Sequence, residues 1–118
     1  MTINAEPRCG WMITEFVKVA TIGDLDDNDM MMVEAEGEEY LLARINGEYY
    51  CIDNWCTHAQ AMLDQGELFP ASYEVECPLH EGRIDLRTGE PTSLPIEDGV
   101  AHFAVKVEGD AIFIGPVA

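Results

Sequence analysis

Apolar and polar positions along this chain change over in steps of two more often than in helical steps of three and four. Short runs rich in β-branched and aromatic side chains are separated by Gly, Pro, Asn and Asp, the pattern of brief strands joined by turns. Ile13 to Val19 alternates loosely, and Met30–Glu34, Tyr40–Ile45 and Glu48–Ile52 follow. Asn46-Gly47, between the last two, is the strongest short hairpin signal because both positions accept positive φ. Glu67–Phe69, Tyr73–Glu76 and Arg83–Leu86 read as further strands, the last ended by the turn Arg87-Thr88-Gly89-Glu90. His102–Val107, a turn at Glu108-Gly109-Asp110 and Ala111–Ile114 close the chain as a hairpin with clear alternation. Helix signals are scarce, and Ala59 to Asp64 allows one turn. Many short strands at close spacing predict an all-β sandwich or barrel.

Two short runs fall in loops at the ends of predicted strands, where a rigid scaffold presents chemistry. Cys56-Thr57-His58 and Cys77-Pro78-Leu79-His80 each offer one thiolate and one imidazole, with residues 59–76 between them. Two Cys and two His so ordered suit a [2Fe-2S] cluster with thiolates on one iron and imidazoles on the other. Each loop then gives one ligand to each iron, and the cluster clamps two loops together. Imidazole is neutral, so this set carries less negative charge than four thiolates and raises the reduction potential. The same donors could form a Cys₂His₂ zinc site. Structural zinc more often takes its Cys as one close pair and its His as another, which the single residue between Cys56 and His58 fits poorly. Four unrelated residues would be a weaker account of two ordered runs. Pro78 restricts Cys77 to extended geometry, and Gly82 lets the chain pass close to the site.

Together the two runs resemble the Rieske motif, Cys-x-His followed after a gap by Cys-x-x-His. The resemblance covers most of the chain from about Phe16 onward. It implies two antiparallel sheets with a smaller sub-domain, residues 54–90 or so forming the cluster-binding part and the remainder a basal β part. It implies one [2Fe-2S] cluster, with Cys56 and Cys77 on the iron that stays ferric and His58 and His80 on the iron that is reduced. The outer nitrogens of both His would face solvent or a partner, which shortens the electron's path and couples protonation to reduction. Leu94-Pro95 resembles the proline-bearing segment that shields the cluster in this family; an ordinary turn is an equal reading. The departures are informative. High-potential members carry an extra Cys in each ligand loop, joined as a disulfide, and a Ser shortly after the second His. Here Leu79 stands before His80, residues 59–62 hold no Cys, and Arg83 follows Glu81-Gly82.

Composition narrows the picture further. A chain of 118 residues is expected to form a single domain, 1–118, and 47% apolar content supports a packed core. A net charge of −17 argues against nucleic acid and anionic membrane surfaces, and steers the protein toward a partner with a basic patch. It also suits a well-solvated monomer. No apolar run approaches membrane-spanning length, and Met1 to Gly10 lacks a signal-peptide pattern, so the expected compartment is the cytoplasm. Cys9 and Cys51 lie outside the motif and are expected to be free thiols, Cys51 as a small buried residue. His102 lies in a strand pattern and is read as structural. Trp11 and Trp55 are read as packing residues, Trp55 beside Cys56 being able to limit water access. No pairing of Asp and Glu suggests acid–base catalysis.

Within the family, the short chain and missing disulfide look like the ferredoxin component of a bacterial aromatic-ring-hydroxylating dioxygenase. That implies a one-electron carrier, not an enzyme, between a flavin NAD(P)H reductase and a terminal oxygenase. An oxygenase proper needs a mononuclear iron with two His and a carboxylate, and only His102 remains once the motif is filled. A small Rieske subunit of a nitrite reductase has similar loops and stays open as an alternative. Both missing features and the net charge of −17 favour a low potential. We expect a midpoint at pH 7 near the lower end of the Rieske span, roughly −150 to +300 mV, measured by redox titration; a clearly positive value would contradict the reading.

Overall fold

The structure is a computed structural model and describes residues 15–56, 61–79, 82–93 and 99–117. Its strands in chain order are β1 (Val17–Thr21), β2 (Asp29–Ala35), β3 (Glu38–Ile45), β4 (Glu48–Asp53), β5 (Trp55–Cys56) and β6 (Ala61–Met62). They continue with β7 (Glu67–Phe69), β8 (Glu74–Glu76), β9 (Arg83–Asp85), β10 (His102–Glu108) and β11 (Ala111–Gly115). Three short 3₁₀ turns, Ile22–Asp24, Leu63–Gln65 and Pro70–Ser72, supply the helical content of the described residues. The expected all-β antiparallel architecture is observed.

Six strands form the base in the order β1-β11-β10-β4-β3-β2. Strand β10 belongs to two pairings. Its His102 and Phe103 face Ile52 and Cys51 of β4, whereas Ala104 to Glu108 face Gly115 to Ala111 of β11. The base therefore turns a corner along β10 and becomes two antiparallel layers. Tight turns set the registers: Asn46 and Gly47 have φ of 54° and 80°, and Glu36 and Gly37 repeat the pattern at 54° and 84°. The smaller part carries β5-β6 and the three-stranded β7-β8-β9.

Strand β3 decides how these parts meet. Tyr40, Leu41, Leu42, Ala43 and Ile45 are all at most 1% exposed, so both faces of the strand are covered. Side chains alternate across a strand. Leu41, Ala43 and Ile45 join Ile52 of β4 in a core with Cys56, Leu63, Val75, Cys77, Ile84 and Leu86. Tyr40 and Leu42 point the other way, into a core with Val33, Cys51, Ile112 and Ile114. Cys51 is a buried free thiol there, as expected, and burial pushes its pKa up.

Several boundaries differ from the sequence pattern. The first strand was expected over Ile13–Val19; its described part starts at Val17 and reaches Thr21, with a register shift between Lys18 and Ala20. Phe16 precedes it, with its ring over Gly115 where any β-carbon would collide. The helical turn expected at Ala59–Asp64 is replaced at Ala61–Met62 by β6, and the 3₁₀ turn falls at Leu63–Gln65. Tyr73 is not a strand residue: at φ 60° it ends the Pro70–Ser72 turn, and β8 starts after it. Leu86 lies beyond the end of β9. Cys9 and Trp11 lie outside the described residues.

Ion pairs tie the small sheet. The Arg83 guanidinium lies 3.4 Å from both Glu74 and Glu76 and stacks over Phe69 at 3.8 Å. Arg87 meets Asp85 at 2.9 Å and covers Tyr73. A hydrogen bond from Thr92, followed by those from Ser72 and Arg83, holds the Glu74 carboxyl below its ordinary range against the opposing effect of burial. Asp85 is lowered chiefly by its bond from Arg87. A depressed carboxylate stabilises the fold above its unfolded pKa and loses that contribution as pH falls through the folded value. Glu74→Gln is expected to cost up to about 1 kcal/mol at pH 7, with the difference from wild type shrinking below roughly pH 4, followed by denaturant midpoints across pH.

Candidate metal centre

Cys56 and Cys77 each sit where the backbone doubles back. Cys56 ends β5, and the ribbon β5-β6 pairs Trp55 with Met62 and Cys56 with Ala61, so it brackets residues 57–60. Cys77 follows β8, and its N–H donates to the Gly82 carbonyl at 3.0 Å, which brackets residues 78–81. The glycine expected to ease a close approach thus closes the second loop. Pro78 and Leu79 lie outward, Leu79 with 68% of its surface exposed.

The thiols lie inward. Cys56 and Cys77 are 1% and 2% exposed, neither is in a disulfide, and both belong to the core shared with β3 and β4. Two unbridged thiols delivered to one apolar cluster from separate strand ends fit two thiolate ligands of one metal centre. His58 and His80, with Thr57, Leu94 and Pro95, lie outside the described residues. Among the described residues no group of three or more His, Cys, Asp and Glu converges on a metal position. His102 is exposed at the start of β10, opposite Ile52, and Trp55 is half-buried beside Cys56.

The segments that follow Ala61 and precede Cys77 meet through elements that no periodicity marked. Leu63 is fully buried in the core that holds Cys56 and Cys77, and Gly66 donates its N–H to the Leu63 carbonyl at 2.9 Å. Gly66 in turn lies so close to Glu76, the residue before Cys77, that a β-carbon there would run into the Glu76 carbonyl. An open groove of about 440 Å³ follows this seam, with Gln65, Gly66 and Glu67 on one side and Glu76 to Leu79 on the other. Asn54, fully buried two residues before Cys56, bonds to Asp64 across the first loop. A polar residue ahead of a ligand run carries no distinctive sequence signal, which is why Asn54, Asp64 and Gly66 escape a reading by motif.

Comparison with known proteins accounts for this arrangement. The profile of the Rieske [2Fe-2S] domain matches residues 15–104. The chain belongs to the Rieske [2Fe-2S] family. Rieske proteins bind a [2Fe-2S] cluster, and that cofactor is assigned here. The ferredoxin component of the naphthalene 1,2-dioxygenase system of Pseudomonas aeruginosa is 34% identical over 103 residues, 87% of this chain and 97% of that protein. Among solved structures, the ferredoxin of carbazole 1,9a-dioxygenase from Nocardioides aromaticivorans is 39% identical, with a TM-score of 0.83 over 88% of this chain and 100% of that one. A complex of reduced oxygenase and oxidized ferredoxin in carbazole 1,9a-dioxygenase matches at 27% identity and a TM-score of 0.78, over 85% of this chain and 92% of that one. In this Rieske chain the Gly66 contact sets how closely the turn after Leu63 approaches Glu76, the residue before Cys77. Gly66→Ala is expected to cost about 1–3 kcal/mol by overpacking and to lower the iron bound per chain, measured by denaturation and metal analysis.

Proposed function

We propose that this protein is the one-electron carrier of an aromatic-ring-hydroxylating dioxygenase system. It takes electrons from a flavin-dependent NAD(P)H reductase and delivers them to a Rieske non-haem iron terminal oxygenase. Cys56 and Cys77 are the ligands of one iron, and His58 and His80 of the other. Residues 1–118 act as a single domain, with about 54–90 as the cluster-binding part. The observation that carries the reading is the split character of the second loop. Its Cys77 is sealed in the core while the adjoining Pro78 and Leu79 are presented to solvent, as a carrier that must both shield and expose its redox centre requires. The dioxygenase ferredoxins described above, and the complex of one with its oxygenase, supply the partner class.

With this donor set the cluster supplies a one-electron couple and no open coordination position. The chain's own residues do the rest. Leu41, Ile52, Leu63 and Ile84 surround the two thiols with apolar side chains and keep water from the sulfur side. Arg83 and Arg87 are each paired with carboxylates, so the cluster-proximal sheet adds no free cation to a chain of net charge −17. An acidic carrier is drawn to basic partner surfaces, and its encounters weaken as salt is raised. A carrier that must leave each partner every cycle uses small contact areas, which suits a monomer in the cytoplasm, without nucleic acid or membrane. No helix among the described residues is long and apolar enough to cross a membrane.

The test is turnover. Purified reductase, arene oxygenase and substrate, with this protein as the sole carrier, are expected to give oxidised product at a rate that falls with ionic strength. Cys56→Ser and Cys77→Ser each abolish product and the electron paramagnetic signal of the reduced protein. A polypeptide that stays colourless after anaerobic reconstitution would overturn the reading. Activity only with a siroheme nitrite reductase would reassign the system.

A further inference from the structure

We propose that Asn54 is a positioning residue, a clasp that ties Met62–Asp64 and the base to the strand end carrying Cys56 and so fixes where Cys56 presents its sulfur. This rests on the reading of Cys56-Thr57-His58 as a ligand run. Among the described residues, Asp53 and Asn54 are the buried polar side chains, and only Trp55 separates them from that run. The Asn54 carbonyl accepts the Leu63 N–H at 2.7 Å. Its side-chain oxygen accepts the Asp64 N–H at 2.8 Å, and its amide donates to the Asp64 carboxylate at 2.7 Å. The same amide lies 3.6 Å from the Met62 sulfur. One residue at the entrance of the loop thus grips three consecutive residues at its exit. Its own N–H reaches the Glu39 carbonyl in β3 at 3.4 Å, joining the grip to the base.

The loop needs such a device. Among the described residues between Asn54 and Leu63 there are two ladder pairs, Trp55 with Met62 and Cys56 with Ala61, and a two-stranded ribbon is marginal by itself. Asp53 primes the turn by accepting the Trp55 N–H at 3.1 Å. Every polar group of the Asn54 side chain is committed to the loop exit, none to the surrounding apolar core. A buried amide with both ends satisfied has one orientation, and it transmits that orientation to both flanks of the ligand run.

The experiment compares wild type, Asn54→Asp, and the exchanged pair Asn54→Asp/Asp64→Asn, all reconstituted with iron and sulfide. The single change sets two carboxylates against each other at a buried site. The exchange restores complementarity, since the carboxylate at position 54 accepts from the amide now at position 64. Asn54→Asp is expected to release iron to a chelator about tenfold faster than wild type, the size of effect seen when outer-shell partners of metal ligands are removed. It also broadens the paramagnetic signal and loses hydrogen-exchange protection at the amides of Leu63 and Asp64. The exchanged pair returns all three toward wild type. Ile112→Val, in the opposite core, lowers the melting temperature and leaves all three unchanged. The proposal is overturned if the exchanged pair is no better than Asn54→Asp, or if Ile112→Val releases iron as fast. Should Asn54→Asp fail to fold, a folded, iron-loaded exchanged pair supports the clasp and an unfolded one overturns it. A wild type that binds no iron overturns the ligand reading, and the exchange protection of Leu63 and Asp64 in the variants then decides the clasp by itself.

Discussion

Burial of β3 on both faces is the constraint on which the rest depends. A strand in an antiparallel sheet commonly turns one face to water. Here Tyr40 to Ala43 pass through the protein with neither face exposed. One set of alternate side chains closes the base against Ile112 and Ile114, and the other forms the floor on which residues 56–86 pack. The two cores share a backbone but no side chains. A slip of one residue in the β2–β3–β4 register would exchange both sets at once. The left-handed turns at Glu36-Gly37 and Asn46-Gly47, one at each end of β3, hold that register in place.

From that floor the chain makes two short excursions, one after Cys56 and one after Cys77. The ribbon β5-β6 returns the first at Ala61, and the Cys77–Gly82 hydrogen bond returns the second. Leu63 joins the core that holds both thiols, and Gly66 closes on Glu76. The apolar side chains supply most of the adhesion, while buried polar groups supply direction. The polar fasteners of β8 and β9 are different in kind: Arg83 and Arg87 are ion-paired near the surface and stack on aromatic rings, an arrangement that adds rigidity more than net stability.

Much of this was legible in the amino-acid order. Strands β2, β4, β10 and β11 follow from apolar patterning and turn residues, because each spans enough residues for a pattern to emerge, and β3 follows from its apolar run before the Asn46-Gly47 turn. The motif pointed to the fold and the cofactor because thiolate and imidazole in two ordered pairs have few other uses. Tyr40-Leu41-Leu42-Ala43 shows no alternation, since a strand with two buried faces has no polar side to mark its period; its place as a divider came only from the structure. β5 and β6 have two residues each, too few for a pattern, and β6 replaced the expected helical turn because Ala61 and Met62 answer Cys56 and Trp55 across the ribbon. Tyr73 adopts a left-handed conformation that its side chain does not advertise. Asn54 looked like any polar residue before a loop, and its role came from being buried with its partner ten positions away.

The pairing of β1 with β11 has a consequence for how the chain is made. Val17 lies opposite Ile114, so the base cannot be sealed until Ile114 has left the ribosome. Contacts of that sequence separation are slow to form. The β2–β3–β4 meander is complete by Asp53, and one of its faces is covered by the next stretch to emerge, residues 56–86. Its other face waits for Ile112 and Ile114. During synthesis the lobe bearing the thiols therefore has its packing surface ready first, while the greasy underside of the scaffold stays uncovered until Ile112 and Ile114 emerge.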